Sequence, residues 1–183
     1  MKMGLNGKVS RILSRYGSFG VLLVLVIAMS LGTRSFLTVP NLINVARQVS
    51  INTIIAVGMT FIIITAGIDL SVGSLVALTS CVAMIIIEAT GYSWLGICAG
   101  ILLGGIAGAF NGVFVAAAGI PPFIVTLAGL TIYRGIALII TGGTPIIRFE
   151  GGFRTLGQGV LLGIPVPVII MAVVVILMHF LLT

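Results

Sequence analysis

Apolar residues in this chain come in long runs rather than in the narrow stripes of a helix lying on a soluble core. Six runs stand out, at about Ser18–Leu31, Ile51–Ala66, Val72–Ile87, Trp94–Val115, Phe123–Ile140 and Ile164–Leu182. A helix crossing a bilayer needs about 20 mostly apolar residues, because its backbone must satisfy its own polar groups once water is gone. The runs therefore predict an all-α, polytopic transmembrane helix bundle of about six spanning helices. The second and third are short, about 24 Å at roughly 1.5 Å per residue, unless polar ends extend them. Both of those ends point at one break, Thr65-Ala-Gly-Ile-Asp-Leu-Ser-Val-Gly-Ser74. Between the first two runs, Phe36 to Gln48 places Leu42, Val45 and Ala46 near one helical face and Asn41, Asn44 and Gln48 near another. That segment reads as an interfacial amphipathic helix or as the start of the second span, with Pro40 in its first turn.

Composition narrows the class. The chain has 183 residues, 60% hydrophobic and 7% charged, whereas a soluble domain carries about 25% charged residues. Folding hides only roughly 70% of such a chain's surface, so twelve charged side chains cannot coat the remainder. A soluble enzyme is excluded. Nine basic and three acidic residues give a net charge of +6, and four of the nine (Lys2, Lys8, Arg11, Arg15) precede the first run. No basic patch interleaved with exposed aromatics follows, so nucleic acid is not an expected partner. The pattern is that of a positive-inside anchor: residues 1–16 are expected as a cytoplasmic basic tail and residues 17–183 as the membrane region.

That anchor sets the topology. The first helix exits, with Arg34 and Arg47 outside, and is read as uncleaved despite the small residues Ala28 and Ser30 near its end. The Gly67–Ser71 break and the Gly119–Pro122 turn then face the cytoplasm. Thr141 to Gly163 becomes the longest outer loop, carrying Arg148, Glu150 and Arg154.

Candidate chemistry is sparse. Gly7-Lys8 is followed by Val9, so the phosphate loop with its Lys-Ser or Lys-Thr is missing. Cys81 and Cys98 read as small hydrophobes, and His179 stands alone in the last run. No metal site, cofactor or catalytic set is expected. The chain reads as a conduit, a scaffold or part of one.

Three features carry more. Gly96, Gly100, Gly104, Gly108 and Gly112 recur every four residues, a stripe that lets another helix approach backbone to backbone. The fourth span is therefore expected at the crowded centre of the bundle, as plain packing or beside a moving gate. Asn111 lies in the same stripe, where its amide bonds across helices or lines a polar route. Arg134, deep in the fifth span beside Tyr133, must face protein or water, with Glu88 as one candidate partner. At the break, Asp69 or Ser71 is expected to cap the third helix, and Gly67 and Gly73 to permit the reversal. Contact with a cytoplasmic partner, or a hinge between half-helices, is the other reading of those residues.

The run Gly58-Met-Thr-Phe-Ile-Ile-Ile-Thr-Ala-Gly-Ile-Asp-Leu-Ser-Val-Gly-Ser74 resembles the signature of ribose-type sugar permeases, the membrane subunits of bacterial binding-protein-dependent ABC importers. Leu37-Thr-Val-Pro-Asn-Leu-Ile-Asn44, Asn111-Gly-Val-Phe114, Ile120-Pro-Pro-Phe-Ile-Val-Thr-Leu-Ala-Gly-Leu130, Tyr133-Arg-Gly135 and Thr141-Gly-Gly-Thr-Pro-Ile146 extend the likeness. The resemblance implies a permease of about ten spans in the bacterial inner membrane, paired with a second permease subunit. Cytoplasmic ATPase subunits would drive it. A periplasmic or lipid-anchored sugar-binding protein would deliver a monosaccharide, meeting Gly142–Gly163. Ribose leads, with galactose, xylose or a furanose derivative open. Asn111, Tyr133 and Arg134 are the residues assigned to the substrate pathway. Such permeases are nearly twice as long, and the segment coupling them to the ATPase follows the sixth span, so the chain reads as an N-terminal half. An ion-coupled secondary transporter and a non-transporting remnant are the alternatives.

Overall fold

The computed structural model describes residues 5–146 and 152–182, with side chains from residue 16 onward in the first stretch and from residue 153 in the second. Its elements, in chain order, are α1 (Leu5–Gly32), α2 (Val39–Ile64), α3 (Val72–Thr90), α4 (Ser93–Ala116), α5 (Pro122–Thr141), α6 (Gly152–Gln158), β1 (Val160–Leu161), β2 (Ile164–Pro165) and α7 (Val166–Leu182). The fold is all-α, as the apolar runs predict, with one small hairpin. Among the described residues, four helices, α2 to α5, are long and apolar enough to cross a membrane. Tyr16–Gly32 of α1 and Val166–Leu182 of α7 are shorter apolar helices. Arg148 and Glu150 lie outside the described residues, as do the side chains of Lys2, Lys8, Arg11 and Arg15.

Contacts divide the chain into two compact units, Met1–Ala46 and Arg47–Thr183. In the first, α1 runs unbroken from the basic segment into the apolar one. Asn41 Nδ2 donates to Phe36 O at 2.7 Å, holding the turn that starts α2. Pro40 falls in the first turn of that helix, where its missing N–H costs nothing. Phe36–Gln48 therefore resolves into the start of the second span: α2 is one helix of 26 residues, not a short span with a separate amphipathic piece.

The second unit is centred on α3. Gly91 takes a left-handed turn (φ 75°) and, with Tyr92, joins α3 to α4 as an antiparallel pair. Gly119 (φ 66°) and the Pro121-Pro122 pair restart the chain as α5. Helix α3 packs on both α4 and α5, which meet each other less extensively. Leu78 of α3, Ala107 of α4, and Tyr133 and Ala137 of α5 form the buried cluster between them. The expectation that the fourth span forms the crowded centre is thus corrected to α3. Gly96, Gly100 and Gly104 give α4 a flat face, against which Thr79, Ala83 and Ile87 of α3 pack.

The long loop after α5 is more structured than its sequence suggests. Gly142 and Gly143, both at positive φ, end α5. The short α6 and the hairpin follow, with Val160 paired to Pro165 and Leu161 to Ile164. Ile164 and Pro165 are strand residues rather than the first residues of the last span, which begins at Val166. Arg47 Nη2 donates to Gln158 O at 2.6 Å. This bond ties the first residue of the second unit to the end of α6.

Candidate functional site

The break between α2 and α3 is where the polar chemistry of this bundle gathers. Helix α2 ends in a Schellman arrangement: Gly67 N–H donates to Ile62 O and Ala66 N–H to Ile63 O, each at 2.9 Å. The left-handed residue that this motif needs is Ala66, at φ 58°. Gly67 and Gly73, expected to supply the reversal, are not at positive φ. Gly67 is required for a different reason. A Cβ there would sit 3.1 Å from Ile62 Cγ2 and 3.2 Å from Ile62 O.

Asp69 then folds back on the chain. Its Oδ1 accepts from Ser71 N–H at 2.7 Å and from Ser71 Oγ at 2.6 Å. This Asx turn replaces the expected cap, and Ser71, the residue preceding α3, makes no side-chain cap bond to that helix. Ser71 is fully buried, so its hydroxyl needs partners on both sides. Asn111 Nδ2 supplies the second at 3.1 Å. Asn111 Oδ1 in turn accepts from Tyr133 OH at 2.9 Å, and the tyrosine also lies 3.2 Å from Ala107 O. One relay, Tyr133 to Asn111 to Ser71 to Asp69, thereby joins α5, α4 and the break.

Small residues make that convergence sterically feasible. Gly129 is buried, and a Cβ on it would lie 3.1 Å from Tyr133, 3.3 Å from Asn111 Oδ1 and 3.3 Å from Ser71 Cβ. Thr126, three residues earlier, donates to Pro122 O at 2.8 Å and reaches Ile68 O at 3.2 Å. Because Ser71 pairs with Asn111, and Ile68 with Thr126, the break is recessed. Helix α4 continues about 7 Å past Asn111, to Ala116, and α5 begins about 6 Å before Thr126, at Pro122.

The recess opens a cavity of about 390 Å³. Thr65, Asp69, Asn111 and Thr126 bring polar atoms to walls otherwise made by Ile62, Ile68, Val115 and backbone. Gly108 and Gly112 form part of that wall. Among the described residues, no lysine, arginine or histidine lines it. A second cavity of about 290 Å³, between α4 and α5, is almost wholly apolar and is rimmed by Phe110 and Phe114 in a T-shaped pair 4.9 Å apart.

The glycine stripe therefore has two halves. Gly96 packs so tightly on α3 that a Cβ would fall 2.5 Å from Ala83 O, Gly100 faces Thr79 O and Ala83, and Gly104 faces Thr79. Gly108 and Gly112, expected in the same packing role, have nothing within 4 Å of a Cβ and face the cavity instead. The cause is geometric. A four-residue step overshoots a turn by about 40°, so the stripe winds off the α3 contact before it reaches Asn111.

Of the three residues assigned to the pathway, the structure joins Asn111 and Tyr133 and leaves Arg134 elsewhere. Asn111 and Tyr133 are both buried. Arg134, one position on and so about 100° around the helix, is exposed, as is Glu88. The residue that sequence reasoning missed is Thr126. The only signal for it is its place inside the Pro-Pro-Phe-Ile-Val-Thr run.

Residues 41–183 match the family model described as the branched-chain amino acid transport system / permease component. The chain is 42% identical to the ribose import permease of Haemophilus influenzae over 92% of its own length and 54% of that protein's. It is 41% identical to the ribose import permease of Bacillus subtilis, over 93% of this chain and 54% of the relative. Its identity to the D-allose transport system permease of Escherichia coli is 37%, over 92% of this chain and 52% of the relative. The chain thus spans about half the length of the curated relatives it matches. No solved structure matches it.

Proposed function

Because the chain belongs to the family described as the permease component of branched-chain amino acid transport systems, we propose that it forms part of the membrane subunit of an ABC importer whose cargo is a neutral monosaccharide, ribose first. The observation that carries this reading is the electrostatic character of the cavity at the break. The protons of the Thr65 and Thr126 hydroxyls are engaged by backbone carbonyls, which turns their oxygens toward the role of acceptors. Asp69 adds a carboxylate whose Oδ1 already holds both of its Ser71 donors, leaving Oδ2 for a further one. With acceptors on its wall and no cationic side chain among the described residues that line it, the site suits a ligand rich in hydroxyl donors. It disfavours one that presents a carboxylate or phosphate. Within this family, that acceptor-rich wall is a better match for the several hydroxyls of a sugar than for an anionic solute. The named relatives, two for ribose and one for D-allose, agree.

In this reading the chain translocates and does not catalyse. It carries no phosphate loop, and ATP hydrolysis belongs to a cytoplasmic ATPase partner. A periplasmic or lipid-anchored sugar-binding protein docks at the side that carries α6 and the hairpin, and a second permease subunit completes the pore. Residues 1–16 lie in the cytoplasm of a bacterial cell, and the chain sits in the inner membrane. Asn111 and Thr126 line the route, while Tyr133 positions Asn111. An ion-coupled mechanism fits less well. It needs buried carboxylates or unwound carbonyls near the midplane. Glu88 is exposed two residues from the end of α3, and Asp69 already holds Ser71 through Oδ1 at the break between two spans. The named relatives are two ribose import permeases and a D-allose transport system permease.

The test is a chimera in which residues 1–183 replace the matching segment of the Bacillus subtilis ribose import permease, expressed with its ATPase and binding protein. Ribose uptake that stops when the ATPase is inactivated supports the proposal. Uptake that survives ATPase inactivation, or collapses with an ionophore at constant ATP, overturns it.

A further inference from the structure

The hairpin between α6 and α7 is built unlike a loop meant for water. Its two strands are joined by Leu162 and Gly163, both at positive φ, 52° and 82°. A type I′ turn demands that pair of signs and favours Asn-Gly. Leucine at the first position sets its Cβ against the following carbonyl oxygen, and here its side chain is 94% exposed. Val160, Leu161 and Ile164 are exposed beside it. An isolated two-stranded hairpin is marginal in water even with good turn chemistry, so an unfavourable turn residue that displays bare hydrocarbon calls for a compensating environment.

Two observations identify that environment. From Gly159 to Met178 the chain has no polar side chain, so the hairpin and the apolar helix α7 form a single hydrophobic run. Val166 N–H donates to Gly159 O at 3.0 Å, which fastens the base of the hairpin to the first residue of α7. We infer that the hairpin is a membrane-seated anchor, with Leu161 and Leu162 entering the boundary between lipid head groups and acyl chains beside the N-terminal end of α7. The depth is limited by the backbone. The outer edges of two short strands leave N–H and C=O groups unpaired, which hydrocarbon forbids but the hydrated head-group layer satisfies. A soluble protein partner would also cover the leucines. Protein interfaces, however, set a polar, hydrogen-bonding rim around their apolar centre, and the hairpin has no polar side chain to contribute to one.

The experiment uses the whole chain in lipid vesicles. Trp94 is the sole tryptophan, so Trp94→Phe combined with Leu162→Trp gives one reporter at the tip. Leu161→Trp repeats the measurement at a position with ordinary strand backbone, and resistance of each variant to alkaline carbonate extraction verifies membrane integration. The expected result is a blue-shifted emission that loses most of its intensity with lipids brominated near the head-group end of the acyl chain and is shielded from aqueous iodide. Red-shifted emission quenched by iodide would place the tip in water and overturn the anchor. Emission shielded from both quenchers would place the tip against protein and overturn it equally. Leu162→Asn, which satisfies the turn and removes the hydrocarbon, is expected to raise the iodide accessibility of a reporter at position 161.

Discussion

Tyr133 donates its hydroxyl proton to Asn111 Oδ1 across 2.9 Å, and that bond decides which way the Asn111 amide faces. With Oδ1 held by the tyrosine, Nδ2 must meet Ser71 Oγ, and the serine proton is free to go to Asp69 Oδ1. Tyr133 OH also lies 3.2 Å from Ala107 O, but Asn111 Oδ1 is its nearer acceptor. The relay has a single direction, from α5 through α4 to the recessed break, and it ends on a negative charge.

A directional relay of buried groups should be strongly coupled. Tyr133→Phe leaves Asn111 Oδ1 without its donor, and Ser71→Ala leaves Nδ2 without its acceptor. Each is expected to lower stability by about 1–3 kcal/mol, the cost of an orphaned buried polar group. The double variant should lose less than the sum, with a coupling of roughly 0.5–3 kcal/mol. Unfolding of the chain in mixed micelles with increasing denaturing detergent measures all three. Strict additivity would mean that the two residues do not share a network.

The two halves of the glycine stripe make opposite predictions. In a helix interior Gly→Ala is favourable by about 1 kcal/mol when the methyl has room. Gly112→Ala and Gly108→Ala have that room, so stability is expected to hold or rise while the cavity narrows and ribose uptake by the chimera falls. Gly96→Ala drives a methyl onto the Ala83 carbonyl, and Gly129→Ala crowds Tyr133, Asn111 and Ser71 together. Both are expected to destabilise. Equal effects at positions 96 and 112 would refute the division of the stripe.

Ala66 holds a left-handed conformation that costs a residue with a Cβ roughly 1–2 kcal/mol. Ala66→Gly is therefore expected to stabilise the chain by about 1 kcal/mol. Gly67→Ala, with Ile62 in the way, is expected to do the reverse. The denaturing-detergent midpoints of the two variants should bracket that of the parent chain.

The helices were legible because hydrocarbon imposes one rule on every residue of a span, and a run such as Phe123–Ile140 meets it without reference to any neighbour. The break was legible as a place but not as a geometry. Asp69 and Ser71 stand two residues apart in either reading, and nothing local says whether the carboxylate serves the amides of α3 or the serine hydroxyl. What settles the matter is Asn111, forty residues on, which claims Ser71 from across the bundle. Arg134 shows the converse failure: the sequence gives its depth along α5 but not the face it takes. The hairpin was hidden because Ile164 and Pro165 are as apolar as the helix they precede, and only the turn at Leu162-Gly163 separates them from it.

Asp69 has two roles that a pair of substitutions can separate. Its Oδ1 shapes the break by accepting from the Ser71 N–H and hydroxyl, and its charge gives the cavity its acceptor character. Asp69→Asn keeps a carbonyl oxygen for the first role and removes the charge. The fold is expected to persist, with the detergent midpoint close to that of the parent, while chimera uptake shows a raised KM for ribose because one strong acceptor for a sugar hydroxyl has become weaker. Asp69→Ala removes both. It strands the buried Ser71 hydroxyl and is expected to cost about 1–3 kcal/mol of stability along with uptake. A normal KM in the asparagine variant, at normal expression, would reduce the carboxylate to a turn-former and remove the reason for placing sugar in this cavity.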